Sequence, residues 1–281
     1  MNPSIQATLR AHGLHPNKRL GQNFLTDPVA LGRIVEAAGP GPDTLVVEVG
    51  AGVGTLTRLL AERAGRVLAV ELDDRLVPIL QECLADLPNV EVLHGDILRL
   101  PPSAVPDRPF QVVGNLPYYI TSAVLRHFLE HRPRPTRMVV TVQREVAERI
   151  VAGPGEMSLL AVSVQFYGEP RIVARIPAGA FYPPPEVESA VVRIEVAEQP
   201  TVPDVEEKVF FRVVRAGFGQ KRKTLRNALR AGLALDVERV VRALTAAGVD
   251  PERRAETLSL AEWGAVTRAF VPAEASTPQA V

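Results

Sequence analysis

Val46-Val47-Glu48-Val49-Gly50-Ala51-Gly52-Val53-Gly54-Thr55 groups β-branched residues around one acid and then places a glycine at every second position. The branched side chains favour extended backbone. The glycines can take positive φ and let the main chain approach a ligand closely. From Thr55 the apolar spacing becomes helical, so the stretch predicts a strand, a tight turn and a helix. The same alternation recurs on both sides of it. Strands are predicted over 44–49, 66–71, 90–93, 111–114 and 137–142, and helices over 28–38, 55–64, 75–86, 122–130 and 144–152. Strands alternating with helices of this length predict an α/β fold, a doubly wound parallel sheet over 26–198 covered on both faces. Two further strand-like runs, 160–167 and 190–196, are expected to close the sheet.

Gln199-Pro200-Thr201-Val202-Pro203 reads as a linker. Beyond it the patterns are helical only, over 205–217, 223–231, 237–246 and 260–270, which predicts a small all-helical domain over 204–271. Residues 272–281 are mostly small or polar and are expected to form a disordered tail.

A chain of 281 residues is long enough for one large domain and a smaller one. No apolar run approaches the roughly eighteen residues that cross a bilayer, and Met1-Asn2-Pro3-Ser4 does not begin a secretory leader. The single cysteine, Cys83, has no disulfide partner, consistent with a reducing cytoplasm. No Cys/His cluster predicts a metal, and no heptad or long apolar face demands a partner, so a cytoplasmic monomer is expected. Lys+Arg and Asp+Glu balance at 32 each, which on its own disfavours a phosphate-binding surface. Their distribution reverses that reading. Between Glu207 and Asp236 there is no acid, while Lys208, Arg212, Arg215, Lys221, Arg222, Lys223, Arg226 and Arg230 all fall there. One-signed charge over that length predicts an RNA-facing surface carried by Arg215, Lys221, Arg222, Lys223 and Arg226.

The glycine spacing identifies the cofactor. A pyrophosphate-binding turn carries Gly-x-Gly-x-x-Gly, whereas here Gly50, Gly52 and Gly54 alternate and Thr55 takes the sixth position. With Glu48 two residues ahead of the first glycine, the turn matches an S-adenosyl-L-methionine signature, with Gly50 and Gly52 against the cofactor. Glu71 ends the second strand, where a carboxylate can accept both ribose hydroxyls. Asp96, after the third strand, can accept the exocyclic amine of the cofactor's adenine. His94 lacks a ligand-type partner and is read as structural.

A second motif, Asn115-Leu116-Pro117-Tyr118, follows the fourth predicted strand. Ligands bind at the carboxyl ends of strands in a doubly wound sheet. Taken alone, the tetrapeptide is a turn. Beside the glycine turn, it suits an amino-purine. The side-chain oxygen of Asn115 and the main-chain carbonyl of Leu116 can each accept an N–H of an adenine amine. Tyr118 supplies a ring for the base, and such stacking is worth roughly 1–3 kcal/mol per base. A methyl-bearing cofactor beside a held amino-purine predicts an adenine methyltransferase of the class I, Rossmann-like type.

These segments resemble the ribosomal RNA small-subunit adenine N6,N6-dimethyltransferase family, the enzymes associated with kasugamycin sensitivity. The likeness runs from 18 to about 270. It includes Leu20-Gly21-Gln22-Asn23-Phe24-Leu25, Gln143-Arg144-Glu145-Val146-Ala147, Phe181-x-Pro183-x-Pro185-x-Val187-x-Ser189, and Phe218-x-x-Lys221-Arg222-Lys223-Thr224-Leu225-x-Asn227-x-Leu229. The resemblance implies that residues 1–25 form an arm over the cofactor site, with Asn23 and Leu25 touching the cofactor. It implies that Asn115 also meets the cofactor and that Phe181 packs near the target base. It further implies that the substrate is a pair of adjacent adenosines in the 3′-terminal hairpin of 16S rRNA, in the immature small ribosomal subunit. Each adenosine receives two methyls during ribosome biogenesis. Two positions depart from the family pattern: Tyr119 stands where many relatives carry Asn, and the loop over 153–158 lacks a Tyr-Gly pair. Methylation of large-subunit rRNA, and an assembly role in which methylation is secondary, are the alternatives. The glycine spacing disfavours a nicotinamide oxidoreductase.

Overall fold

The computed structural model describes residues 4–100 and 108–270. The tail expected over 272–281 lies outside the described residues. The chain divides into two units, one of residues up to Glu148 together with Gly168–Glu198, the other of Arg149–Tyr167 and the chain from Gln199 onward.

The first unit is built on a seven-stranded sheet. Its strands are β2 (Leu45–Val49), β3 (Arg66–Glu71), β4 (Val90–His94), β5 (Phe110–Asn115), β6 (Arg137–Gln143), β7 (Gly168–Ile176) and β9 (Ser189–Val196). They lie in the order β4-β3-β2-β5-β6-β9-β7. The five strands from β4 to β6 are parallel, β9 runs antiparallel to β6, and β7 antiparallel to β9. The chain leaves β2 toward β3 on one side and later returns to β5 on the other. The switch in strand order that opens a ligand crevice therefore falls between β2 and β5. All five residues of β2 are buried, as expected of a central strand covered on both faces. A two-stranded pair, β1 (Phe24–Leu25) with β8 (Phe181–Tyr182), joins the N-terminal segment to a distant loop.

Local sequence sets the helix boundaries. Helix α2 (Pro28–Ala38) starts where the Asp27 side chain accepts the Val29 and Ala30 N–H groups, with Pro28 in its first turn. It ends at Gly39, whose φ of +52° is a left-handed cap. Its buried face, including Leu31, Ile34 and Val35, packs in one core cluster with Val46, Val113 and Val139 of the sheet. Helices α1 (Ile5–Ala11), α3 (Thr55–Ala61), α4 (Val77–Cys83), α5 (Thr121–Glu130) and α6 (Arg144–Val151) follow the same order along the chain.

One strand expectation is overturned. Residues 160–167 were expected to close the sheet, but Leu159–Gln165 is a helix, α7. The Ser158 hydroxyl accepts the Ala161 N–H at 3.1 Å and caps it. A short apolar run cannot by itself distinguish a buried helix from a strand. The closing strand is β7, immediately downstream, whose Pro170 and charged residues disguise it. An edge position tolerates that proline, and β7 is the last strand of the order.

The second unit contains α7 with α8 (Glu207–Phe218), α9 (Leu225–Leu233), α10 (Val237–Ala246) and α11 (Leu260–Phe270). Its aromatic core stacks Phe166 on Phe210 at 4.5 Å between ring centroids, with Tyr167 and Phe211 edge-on to Phe166. Gly217 lets the Trp263 indole lie against α8, since a Cβ there would sit 2.3 Å from the ring. At the start of α11, Ser259 and Glu262 exchange main-chain hydrogen bonds as a capping box. The Arg253 guanidinium beside Glu262 pulls its carboxyl down to about 2.

Glu48 is the exception in β2, an acid with 2% of its surface exposed in an otherwise apolar strand. Burial pushes its carboxyl up to about 8; the Thr57 hydroxyl pulls the other way, and the negative charge of Glu71 adds to the rise. Below the ordinary value of 4.5 the group is neutral in the folded and unfolded chain alike. Between 4.5 and about 8 only the unfolded chain ionises, so the group's contribution to stability is lost as pH rises and levels off above about 8. Glu48→Gln is therefore expected to melt higher than the native protein by a margin that widens across that window. A margin independent of pH in thermal melts would contradict the assignment.

Candidate active site

The crevice at the β2–β5 switch is a cleft of about 1110 Å³, open solvent included. Strand register brings its two halves together. Glu48 pairs with Val113, so both motifs leave the sheet at the same end. Gly114 makes the approach possible, because a Cβ there would lie 2.6 Å from the Val49 carbonyl oxygen.

In the first half, Gly50, Gly52 and Gly54 all have positive φ, at +75°, +62° and +85°. A Cβ on Gly52 would come within 3.1 Å of the Phe24 ring, in a conformation that side chains rarely adopt. The Val70 carbonyl accepts from the Gly50 and Ala51 N–H groups. Glu71, buried at the end of β3, accepts the Gly52 N–H on Oε2 at 2.7 Å and the Asp73 N–H on Oε1 at 2.8 Å. Burial pushes its carboxyl up while the hydrogen bonds from Asp73 and Gly52 hold it down. Each oxygen retains a lone pair for a hydroxyl donor. Asp96, just past the end of the neighbouring β4, also lines the cleft; its Oδ1 accepts the Leu98 N–H at 3.0 Å and Arg99 lies 3.6 Å away. His94 lies within 3.3 Å of the Leu72 carbonyl, outside the residues lining the cleft.

In the second half, Asn115 donates from Nδ2 to the main-chain carbonyl of Asn23 at 2.7 Å. Because that partner can only accept, the Asn115 amide is oriented with its nitrogen toward the arm, which leaves Oδ1 as an acceptor. The Leu116 N–H is tied to the Thr141 carbonyl at 3.2 Å. The Tyr118 hydroxyl lies 2.8 Å from the hydroxyl of Ser189, the buried first residue of β9, and burial pushes the phenol up. Its ring is thereby fixed at the cleft wall. Tyr119 next to it is 62% exposed, beside Gly21 at the mouth.

Asn23, Leu25, Gly50, Gly52, Glu71, Asp96, Asn115, Leu116 and Tyr118 all line this one cleft. Phe181, expected near the target base, does not. It sits in β8 opposite Leu25 and is 4% exposed, packed in the core cluster with Leu31 and Ile34. Asn23 contributes its main chain, whereas its side chain turns back to the Gly21 carbonyl. Gln22, Leu72 and Ile97 also line the cleft and were missed. A residue that acts through packing or a neighbour's main chain leaves no pattern in the sequence.

On the helical unit, Arg215, Lys221, Arg222 and Lys223 are exposed. Arg226 is half-buried and ion-paired with Glu252 at 2.9 Å, so it is the least available of the five basic residues. Among the described residues no His/Cys/Asp/Glu group is arranged to hold a metal, and no helix is long and apolar enough to cross a membrane.

Comparison with known proteins agrees with this geometry. Residues 13–270 match the family model described as ribosomal RNA adenine dimethylase. The chain is 49% identical to ribosomal RNA small subunit methyltransferase A of Dehalococcoides mccartyi strain CBDB1, covering 93% of this chain and 92% of that protein. It is 44% identical to the protein of the same name from Pelotomaculum thermopropionicum, over 96% of each chain. Among solved structures, the 23S rRNA methyltransferase ErmE superimposes with a TM-score of 0.71 at 32% identity, covering 88% of this chain and 99% of that one. A dimethyladenosine transferase from Plasmodium falciparum superimposes with a TM-score of 0.73 at 25% identity, covering 86% and 95%. The chain thus belongs to the ribosomal RNA adenine dimethylase family.

Proposed function

We propose that this protein transfers methyl groups from S-adenosyl-L-methionine to N6 of two adjacent adenosines in the 3′-terminal hairpin of 16S rRNA. The products are N6,N6-dimethyladenosines, made in the cytoplasm on the immature small ribosomal subunit by one copy of the chain. The observation that carries this reading is the Asn115 amide, anchored by its nitrogen at 2.7 Å with its oxygen free, in the cleft that the glycine turn and Glu71 also line. Relatives named for small-subunit rRNA reach 49% identity against 32% for the large-subunit enzyme, which favours the small subunit as substrate.

The residues fit the cofactor. The positive-φ glycines leave a cradle that Cβ atoms would fill, Glu71 keeps lone pairs for ribose hydroxyls, and Asp96 stands where an adenine amine can donate. Asn23 and Leu25 would cover it from the arm. When bound, the cofactor supplies a methyl on a sulfonium, an already activated electrophile. The chain's own task is placement. An adenine amine is a poor nucleophile because its lone pair is delocalised into the ring. Asn115 Oδ1 and the Leu116 carbonyl accept its two N–H groups and draw the nitrogen toward a pyramidal geometry. Tyr118 holds the base by stacking, and Phe181 backs the arm through its pairing with Leu25. No strong base is required, since the proton leaves readily once the amine is alkylated. Bases in a loop cost less to extrude than paired ones. Arg215, Lys221, Arg222 and Lys223 would meet phosphates, with Arg226 contributing if its pair with Glu252 opens.

Two outcomes test this reading. Asn115→Asp replaces the donor facing the Asn23 carbonyl with an acceptor and should lower kcat on immature small subunits by roughly 100-fold or more, as a misplaced reacting group does. Mass spectrometry of the rRNA for dimethyladenosine checks it; full activity in that variant would remove Asn115 from the mechanism. Replacing Lys221, Arg222 and Lys223 together by Ala should weaken subunit binding and flatten its salt dependence by roughly two units of slope. Affinity for S-adenosyl-L-methionine should stay unchanged by calorimetry. An unaltered slope would move the RNA contact elsewhere.

A further inference from the structure

Gln22 lies in the arm between the two halves of the cleft, and both ends of its amide are engaged. Its Oε1 accepts the Asn17 N–H at 2.7 Å and closes the arm's turn on itself. Its Nε2 donates to Asp73 Oδ2 at 2.7 Å, fifty-one residues away in sequence. Asp73 is itself buried and firmly held, with the Arg75 guanidinium on both carboxylate oxygens at 2.8 and 2.6 Å. That guanidinium, assisted by Gln22, keeps the carboxyl below its ordinary value, so it is ionised and accepts at neutral pH. The main chain of Asp73 then donates to Glu71 Oε1, whose partner oxygen takes the Gly52 N–H. One residue along from Gln22, the Asn23 carbonyl takes the Asn115 amide. A continuous path of short polar contacts and adjoining residues runs from the glycine turn through Glu71, Asp73, Gln22 and Asn23 to Asn115. Pairing of β1 with β8 begins only at Phe24, so it does not by itself fix the carbonyl of Asn23.

We infer that Gln22 and Asp73 form a latch that sets the Asn23 carbonyl against Asn115, making Gln22 a positioning residue that couples the cofactor half of the cleft to the acceptor half. The inference rests on the reading of Asn115 as the acceptor-binding group. Gln22 acts through the arm and touches no reacting atom. Its chemistry at this position is specific. One end must accept from Asn17 and the other must donate to a carboxylate, which an amide does and a carboxylate does not.

A reciprocal exchange tests it. Gln22→Glu sets a second carboxylate against Asp73 and should open the latch. Adding Asp73→Asn restores a donor across the same gap and leaves the Asp73 main-chain bond to Glu71 in place. It also sets an amide N–H against the Arg75 guanidinium, so the effect of Gln22→Glu is measured in both the native and the Asp73→Asn backgrounds. Gln22→Glu is expected to speed hydrogen exchange of the arm amides over 20–24 and to weaken binding of S-adenosylhomocysteine. It should also lower kcat by roughly 10- to 100-fold, the scale of a small misplacement, with little change in KM for the RNA. All three penalties of Gln22→Glu should be much smaller in the Asp73→Asn background than in the native one. A Gln22→Glu variant that behaves as native, or penalties of Gln22→Glu as large in the Asp73→Asn background as in the native one, would overturn the latch. If the native protein transfers no methyl to small-subunit rRNA, the functional reading fails. Exchange and S-adenosylhomocysteine binding then still decide the latch.

Discussion

The contact between β2 and β5 is the constraint on which the site depends. The two strands lie well apart in sequence, yet parallel register sets Glu48 beside Val113 and lets both motifs emerge together. Gly114 admits the Val49 carbonyl where any side chain would block it. Without that approach, a glycine turn and an Asn-Leu-Pro-Tyr corner would be two unrelated loops. With it, the main chain of the arm can reach Asn115 and fix which end of the amide faces the cleft.

Electrostatics divides the molecule's labour. Glu48, Glu71 and Asp96 line the cleft and Asp73 lies directly behind it. Their surroundings differ: burial keeps Glu48 largely neutral at pH 7, burial pushes Glu71 up against the main-chain N–H groups that hold it down, and a guanidinium holds Asp73 below its ordinary value. The acid-free run of cations from Lys208 to Arg230, most of them exposed, lies on the helical unit. A net charge of zero thus hides an uneven distribution of charge along the chain.

Most of the fold was legible because its determinants are local. Runs such as Val46–Val49 and the caps at Asp27 and Gly39 announce strands and helix ends through residue type alone. The reading failed at 160–167, where six apolar residues in eight carry no decisive period and the Ser158 hydroxyl caps a helix. It failed again at β7, whose alternating burial is written in charged residues at a sheet edge. At the site, polar residues at strand ends that line the cleft, such as Glu71 and Asn115, were visible. Asn23 was expected by resemblance to touch the cofactor, and the structure adds that its carbonyl accepts from Asn115. Gln22 and Asp73 matter through partners distant in sequence. Phe181 was assigned by resemblance to the target base, and the fold gives it a supporting place in the core.

A crystal structure of the protein with S-adenosylhomocysteine tests the central claim most directly, that one cleft holds the methyl donor beside the Asn115 amide. The account predicts ribose hydroxyls on Glu71, the adenine amine on Asp96, and the sulfur turned toward an Asn115 whose nitrogen still faces Asn23. A ligand seated away from the glycine turn, or an Asn115 amide turned out of the cleft, would contradict it.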